Sequence, residues 1–73
     1  MALVLYTRSD CPLCEVAESL LNAGGWGYDT LDIDKDLGLI QRFGTRIPVL
    51  LETRTGQTWD WPFTEDTLRA AGL

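Results

Sequence analysis

The opening of this chain constrains its fold more than any other feature: a strand-like run passes within five residues into an amphipathic helix. Residues 2–7, ALVLYT, form a continuous apolar run containing Val and Tyr, the pattern of a buried strand. Residues 12–23, PLCEVAESLLNA, switch to a helical period. Leu13, Cys14, Val16, Ala17, Leu20 and Leu21 recur on one face, with Glu15, Glu18, Ser19 and Asn22 on the other. Pro12 suits a first helical turn, where a missing N–H costs nothing, and Gly24-Gly25 ends the helix. Residues 27–33, GYDTLDI, read as a second strand with Tyr28, Leu31 and Ile33 apolar. Such a strand–helix–strand unit makes its two strands parallel, joined by a right-handed crossover.

The rest of the chain is read in the same way. Asp34 is expected to cap a short helix over 35–43, KDLGLIQRF, which Gly38 weakens and Gly44 closes. PVLLET at 48–53 is a third strand, RTG at 54–56 a turn, and QTWDW at 57–61 an alternating fourth strand antiparallel to the third. Pro62 breaks that strand. Thr64 caps a last helix with Glu65 and Asp66 in its first turn and Gly72 after it. The order βαβαββα gives an α/β fold, a four-stranded mixed sheet flanked by helices, as a single domain over residues 1–73. Trp26, between two glycines, is expected to pack over a sheet edge. The acidic residues Glu15, Glu18, Asp32, Asp34 and Asp36 are read as a solvated surface.

Composition limits the partners. A net charge of −5 repels phosphate backbones, so nucleic acid is not an expected partner. No apolar run approaches the roughly 18 residues that span a bilayer, and ALVLY at 2–6 is too short for a signal-peptide core. A cytoplasmic monomer without a membrane partner is therefore expected, in a compartment that keeps thiols reduced. There, a lone cysteine pair is more often functional than structural.

The chain has two cysteines, Cys11 and Cys14, and no histidine. Cys11 falls at the junction of the first strand and first helix. A helix N-terminus offers unpaired N–H groups and partial positive charge, which favour a thiolate. Cys14 lies one turn inside, on the apolar face, sheltered but within bonding reach of Cys11. An exposed attacking sulfur and a shielded resolving one suit thiol–disulfide exchange, and the helix end replaces a histidine base. Asp10 opposes this by favouring the neutral thiol, and Arg8 offsets it. A structural zinc site wants four N or S ligands, and the two here could serve only a metal shared between chains. A stapling disulfide this short closes too small a loop to stabilise much.

Together, LYTRSDCPLC at 5–14 and TRIPVLLE at 45–52 resemble the glutaredoxins of the thioredoxin fold over nearly the whole chain. The small glutaredoxin-like proteins of bacteria are more similar still. They carry DID before the second helix and WPF before the last, here Asp32-Ile33-Asp34 and Trp61-Pro62-Phe63. The resemblance implies that Cys11 is the nucleophile and Cys14 the resolving thiol. It implies that Ile47-Pro48 is the turn whose proline is cis and faces the active cysteine, with the Ile47 backbone able to pair with a substrate peptide. It places Arg8 where a basic residue reaches the glycine carboxylate of glutathione. The glycine pair that receives the γ-glutamyl group in glutaredoxins is absent, replaced by TWDWPFTED at 58–66. Thr64 at the last helix start is the remaining candidate for a carboxylate there, although capping and core packing explain this region as well.

The expected function is a thiol–disulfide oxidoreductase with no tightly bound cofactor, acting on a disulfide-bearing protein or a glutathione mixed disulfide. Glutathione itself is expected to bind weakly. Two alternatives remain open: a non-catalytic redox-sensing or protein-binding module, and an iron–sulfur carrier in which Cys11 of two chains and glutathione hold the cluster.

Overall fold

The computed structural model describes residues 2–73. Strand β1 (Leu3–Thr7) leads into helix α1 (Pro12–Ala23), β2 (Asp29–Asp32), helix α2 (Leu37–Phe43), β3 (Val49–Glu52), β4 (Thr58–Asp60) and helix α3 (Glu65–Ala70). The sheet order is β2-β1-β3-β4, with β1 parallel to β2 and both remaining pairs antiparallel. This is the expected four-stranded mixed sheet.

Strand periodicity sorts side chains onto two faces. Leu5 lies opposite Leu50, and Leu50 opposite Trp59, so these three share one face. Helices α1 and α3 cover it, bringing Ala17, Leu21 and Leu68 onto Leu3, Leu5 and Leu50 in the larger core cluster. Tyr6 and Val49 lie on the opposite face, where α2 contributes Phe43 and the segment before it Ile33. Leu5, Leu21, Leu50 and Leu68 are each 0% exposed, and each such burial contributes about 1.5–3 kcal/mol before chain entropy is set against it. Trp26 is buried in the larger cluster, and the guanidinium of Arg69 lies 4.5 Å from its ring. The backbone at Gly24 passes so close to that indole that any Cβ there would collide with it.

Three expectations are corrected in detail. The second strand spans only Asp29–Asp32, because Ile33 turns into a single 3-10 turn, Ile33–Lys35. Asp36, not Asp34, caps α2, its carboxylate accepting from the N–H groups of Gly38 and Leu39. The buried stripe of α1 is narrower than its apolar pattern: Cys14, Ala17 and Leu21 are buried, whereas Leu13 and Val16 are exposed. Among the described residues, no helix is long and apolar enough to cross a membrane.

Candidate active site

Local backbone chemistry builds this site. After β1 the chain reverses through Asp10, whose φ of 55° is left-handed. Aspartate is among the few non-glycine residues that tolerate this region. Cys11 follows in extended backbone and is the N-cap of α1. Its sulfur accepts the N–H of Cys14 at 3.1 Å, and its carbonyl accepts from Glu15 N–H at 3.2 Å, the first bond of the helix. Pro12 takes the first helical position, where no donor is required. The residue expected to need the helix N-terminus is thus the residue that terminates it.

Cys11 and Cys14 are joined as a disulfide, with Cα atoms 5.2 Å apart. Their surroundings differ sharply. Cys14 is 3% exposed on the buried face of α1, while Cys11 is only half-buried and its neighbours Asp10, Pro12 and Leu13 are exposed. Burial raises the cost of a thiolate and an N–H donor lowers it. The environment therefore separates the two sulfurs into an accessible, donor-supported one and a sheltered one.

The other expected site residues are distributed around the same end of the sheet. Arg8 leaves β1 and pairs with Asp34 through both guanidinium arms, Nη2 to Oδ1 at 2.5 Å and Nε to Oδ2 at 3.3 Å. The Asp34 hydrogen bond and charge raise the arginine pKa further above its usual value. An incoming carboxylate would therefore have to share Arg8 with Asp34. The Ile47–Pro48 bond is cis, as is Trp61–Pro62. Ile47 N–H donates to the Phe43 carbonyl at 3.1 Å, leaving its carbonyl as the backbone group with no such partner among the described residues. Pro48 is fully buried, and its carbonyl accepts from Trp61 N–H at 3.2 Å.

Thr64 is the N-cap of α3. Its hydroxyl accepts from Thr67 N–H at 3.1 Å and lies 2.9 Å from the Thr67 hydroxyl. Trp59 and Trp61 pack against the larger core cluster, and Trp61 meets Phe63 edge-on at 5.1 Å. This region is thus occupied by capping and packing.

Several polar partners lay outside the sequence reading. The Arg8–Asp34 pair spans 26 positions and carries no local signal. Arg46 similarly grips Asp60 at 2.7 and 2.9 Å, holding that carboxyl below its ordinary pKa through the hydrogen bond. Tyr28 bonds Glu18 and Asn22 on α1, and burial, then the Glu18 charge, push its hydroxyl pKa up. Asp36 as a cap was readable, since it directly precedes the first apolar residue of α2.

Comparison with known proteins agrees with this geometry. Residues 2–71 match the model of the Glutaredoxin-like domain (DUF836). The structural genomics target XcR50 from X. campestris is 40% identical, with a TM-score of 0.85 over 94% of this chain and 92% of that one. Ne2328 from Nitrosomonas europaea is 24% identical, with a TM-score of 0.74 over 96% of this chain and 88% of its own. The thioredoxin-like protein BC3987 is 22% identical, with a TM-score of 0.67 over 93% and 95–96% respectively across its two structures, and so shares the fold. No curated protein matches the chain. With its Cys11–Cys14 pair at the start of α1 on a thioredoxin-like sheet, the chain belongs to the glutaredoxin-like domain family.

Proposed function

We propose that this protein is a thiol–disulfide oxidoreductase in which Cys11 attacks and Cys14 resolves. The observation that carries the reading is the pairing of a half-exposed cap sulfur, held by a helix N–H, with a buried sulfur already bonded to it.

In the reduced protein the Cys14 N–H and the N-terminus of the twelve-residue α1 stabilise a Cys11 thiolate. That thiolate attacks one sulfur of a substrate disulfide. The substrate S–S bond breaks, its outer sulfur leaves as a thiolate and takes a proton from water, and a mixed disulfide forms at Cys11. Cys14 loses its proton and attacks the Cys11 sulfur. The second substrate thiol departs, leaving the Cys11–Cys14 disulfide. Two electrons have passed from the protein to the substrate, and an external thiol must return them. The Ile47 carbonyl is the backbone group positioned in sequence to pair with a substrate peptide. A cytoplasmic setting would keep the pair reduced between turnovers.

The test is disulfide exchange with hydroxyethyl disulfide. The reduced protein should lose two hydrogens without dimerising, by mass spectrometry. Cys14→Ser should accumulate a stable mixed disulfide on Cys11, and Cys11→Ser should exchange nothing. Two free thiols persisting under full oxidising conditions would refute the reading.

A further inference from the structure

Helix α1 leaves an apolar shoulder uncovered beside the dithiol. Leu13 and Val16, 52% and 51% exposed, sit one turn apart on α1, outside the stripe that Cys14, Ala17 and Leu21 bury. Two carboxylates border that shoulder. Asp10 directly precedes Cys11, and Glu15 stands in the first turn of α1, next to Val16 in sequence, with its N–H donating to the Cys11 carbonyl; both are exposed. Neither makes an ion pair among the described residues.

The cations that could neutralise them are engaged elsewhere. Arg8 is held by Asp34, Arg46 by Asp60, and Arg69 by Glu65 and the Trp26 ring. Arg42 lies over the Phe43 ring, and Arg54 follows β3 at the end of the sheet opposite Cys11. Lys35 stands in a segment with Asp32, Asp34 and Asp36. An apolar contact with an acidic border selects by charge complementarity.

We infer that the surface beside Cys11 docks a disulfide-bearing polypeptide segment whose cysteine is flanked by lysine or arginine, and that it discriminates against anionic disulfides. Apolar parts of the segment, including the stems of its basic side chains, cover Leu13 and Val16. Its cationic heads face Asp10 and Glu15. Cys11 then attacks the segment's cysteine sulfur, expelling the outer thiol, and Cys14 completes the transfer as above. This selectivity rests on the oxidoreductase reading, and the two fail in different ways.

The probes are two short peptides with one cysteine each, flanked by Lys or by Glu, and each capped as a mixed disulfide with 2-mercaptoethanol. Rates with the reduced protein are divided by rates with dithiothreitol, which removes intrinsic differences between the disulfides. The normalised rate should favour the lysine peptide by about tenfold at low ionic strength. The ratio should shrink several-fold as salt approaches about 1 M, where the Debye length falls to about 3 Å. Glu15→Gln should narrow the low-salt ratio, and Glu15→Lys should narrow it further. Equal normalised rates, or a preference for the glutamate peptide, would overturn the inference while leaving exchange chemistry intact. Reaction with neither peptide, nor with hydroxyethyl disulfide, would remove both readings together.

Discussion

Helices α1 and α3 begin with the same backbone device. Each is preceded by a residue in extended conformation whose side chain accepts the N–H three positions on: Cys11 sulfur from Cys14 at 3.1 Å, and Thr64 oxygen from Thr67 at 3.1 Å. Threonine is a preferred cap for this purpose and cysteine is not, because sulfur is the weaker acceptor. At α3 the cap completes a six-residue helix that carries Leu68 into the core. At α1 the same position holds a sulfur that is disulfide-bonded to Cys14. On the proposed reading, the kind of helix N–H that satisfies an oxygen at Thr64 would support a thiolate at Cys11 once the disulfide is reduced. On that reading, one local solution serves stability at one site and chemistry at the other.

The widest separation between the two helix starts should appear on substituting Cys11 itself. Cys11→Ser should abolish exchange, yet the variant should unfold in urea at a free energy equal to the reduced wild type or up to about 1 kcal/mol higher, since serine is the better cap. A loss of more than that would show that the sulfur is needed for the fold and would blur the distinction.

Glutathione sharpens the comparison from the α3 side. With Thr64 committed to Thr67 and Arg8 shared with Asp34, a bound glutathione would be expected to lack at least one charge-assisted contact. Such a loss costs about 1.5–3 kcal/mol, on the order of ten- to a hundred-fold in affinity. NMR titration should need millimolar glutathione, with small shifts confined to Arg8, Cys11 and Ile47. Micromolar saturation with shifts at Thr64 and Glu65 would mean that the start of α3 is a binding site after all.

Removing an oxygen cap should cost stability of a smaller order. Thr64→Ala and Asp36→Ala should each lower unfolding free energy by about 1 kcal/mol, measured by urea denaturation. The smallest expected effect is the Arg46–Asp60 pair, whose side chains are 37% and 47% exposed, so that solvent screening leaves it a contribution smaller than that of either cap. Because Arg46 holds Asp60 below its ordinary value of 3.8, that contribution is complete above this pH and is lost as pH falls through the depressed value. Asp60→Asn should therefore differ from wild type near neutrality and converge with it in acid.

What could be read from the sequence follows from how local each cause is. Helix α1 was legible to both ends, because Pro12, the apolar period and Gly24 all act within a few residues of their effects. The Cys11–Cys14 contact was legible for the same reason. The cap of α2 was misplaced by two residues because Asp34 and Asp36 have equal capping chemistry, although Asp36 alone directly precedes the first apolar residue of the helix. The exposure of Leu13 and Val16 could not be read from periodicity, which gives an apolar arc without saying how much of it a neighbour covers. The commitments of Arg8 and Arg46 depend on contacts 26 and 14 positions away, beyond any local pattern.

The most direct measurement is alkylation of the reduced protein as a function of pH, with each cysteine followed by peptide mass spectrometry. Cys11 should label first at neutral pH, with a midpoint below the ordinary thiol value of about 8.5, while Cys14 stays protected until the protein unfolds. Equal labelling, Cys14 labelling first, or a Cys11 midpoint at or above that value would contradict the assignment of the cap sulfur as the nucleophile.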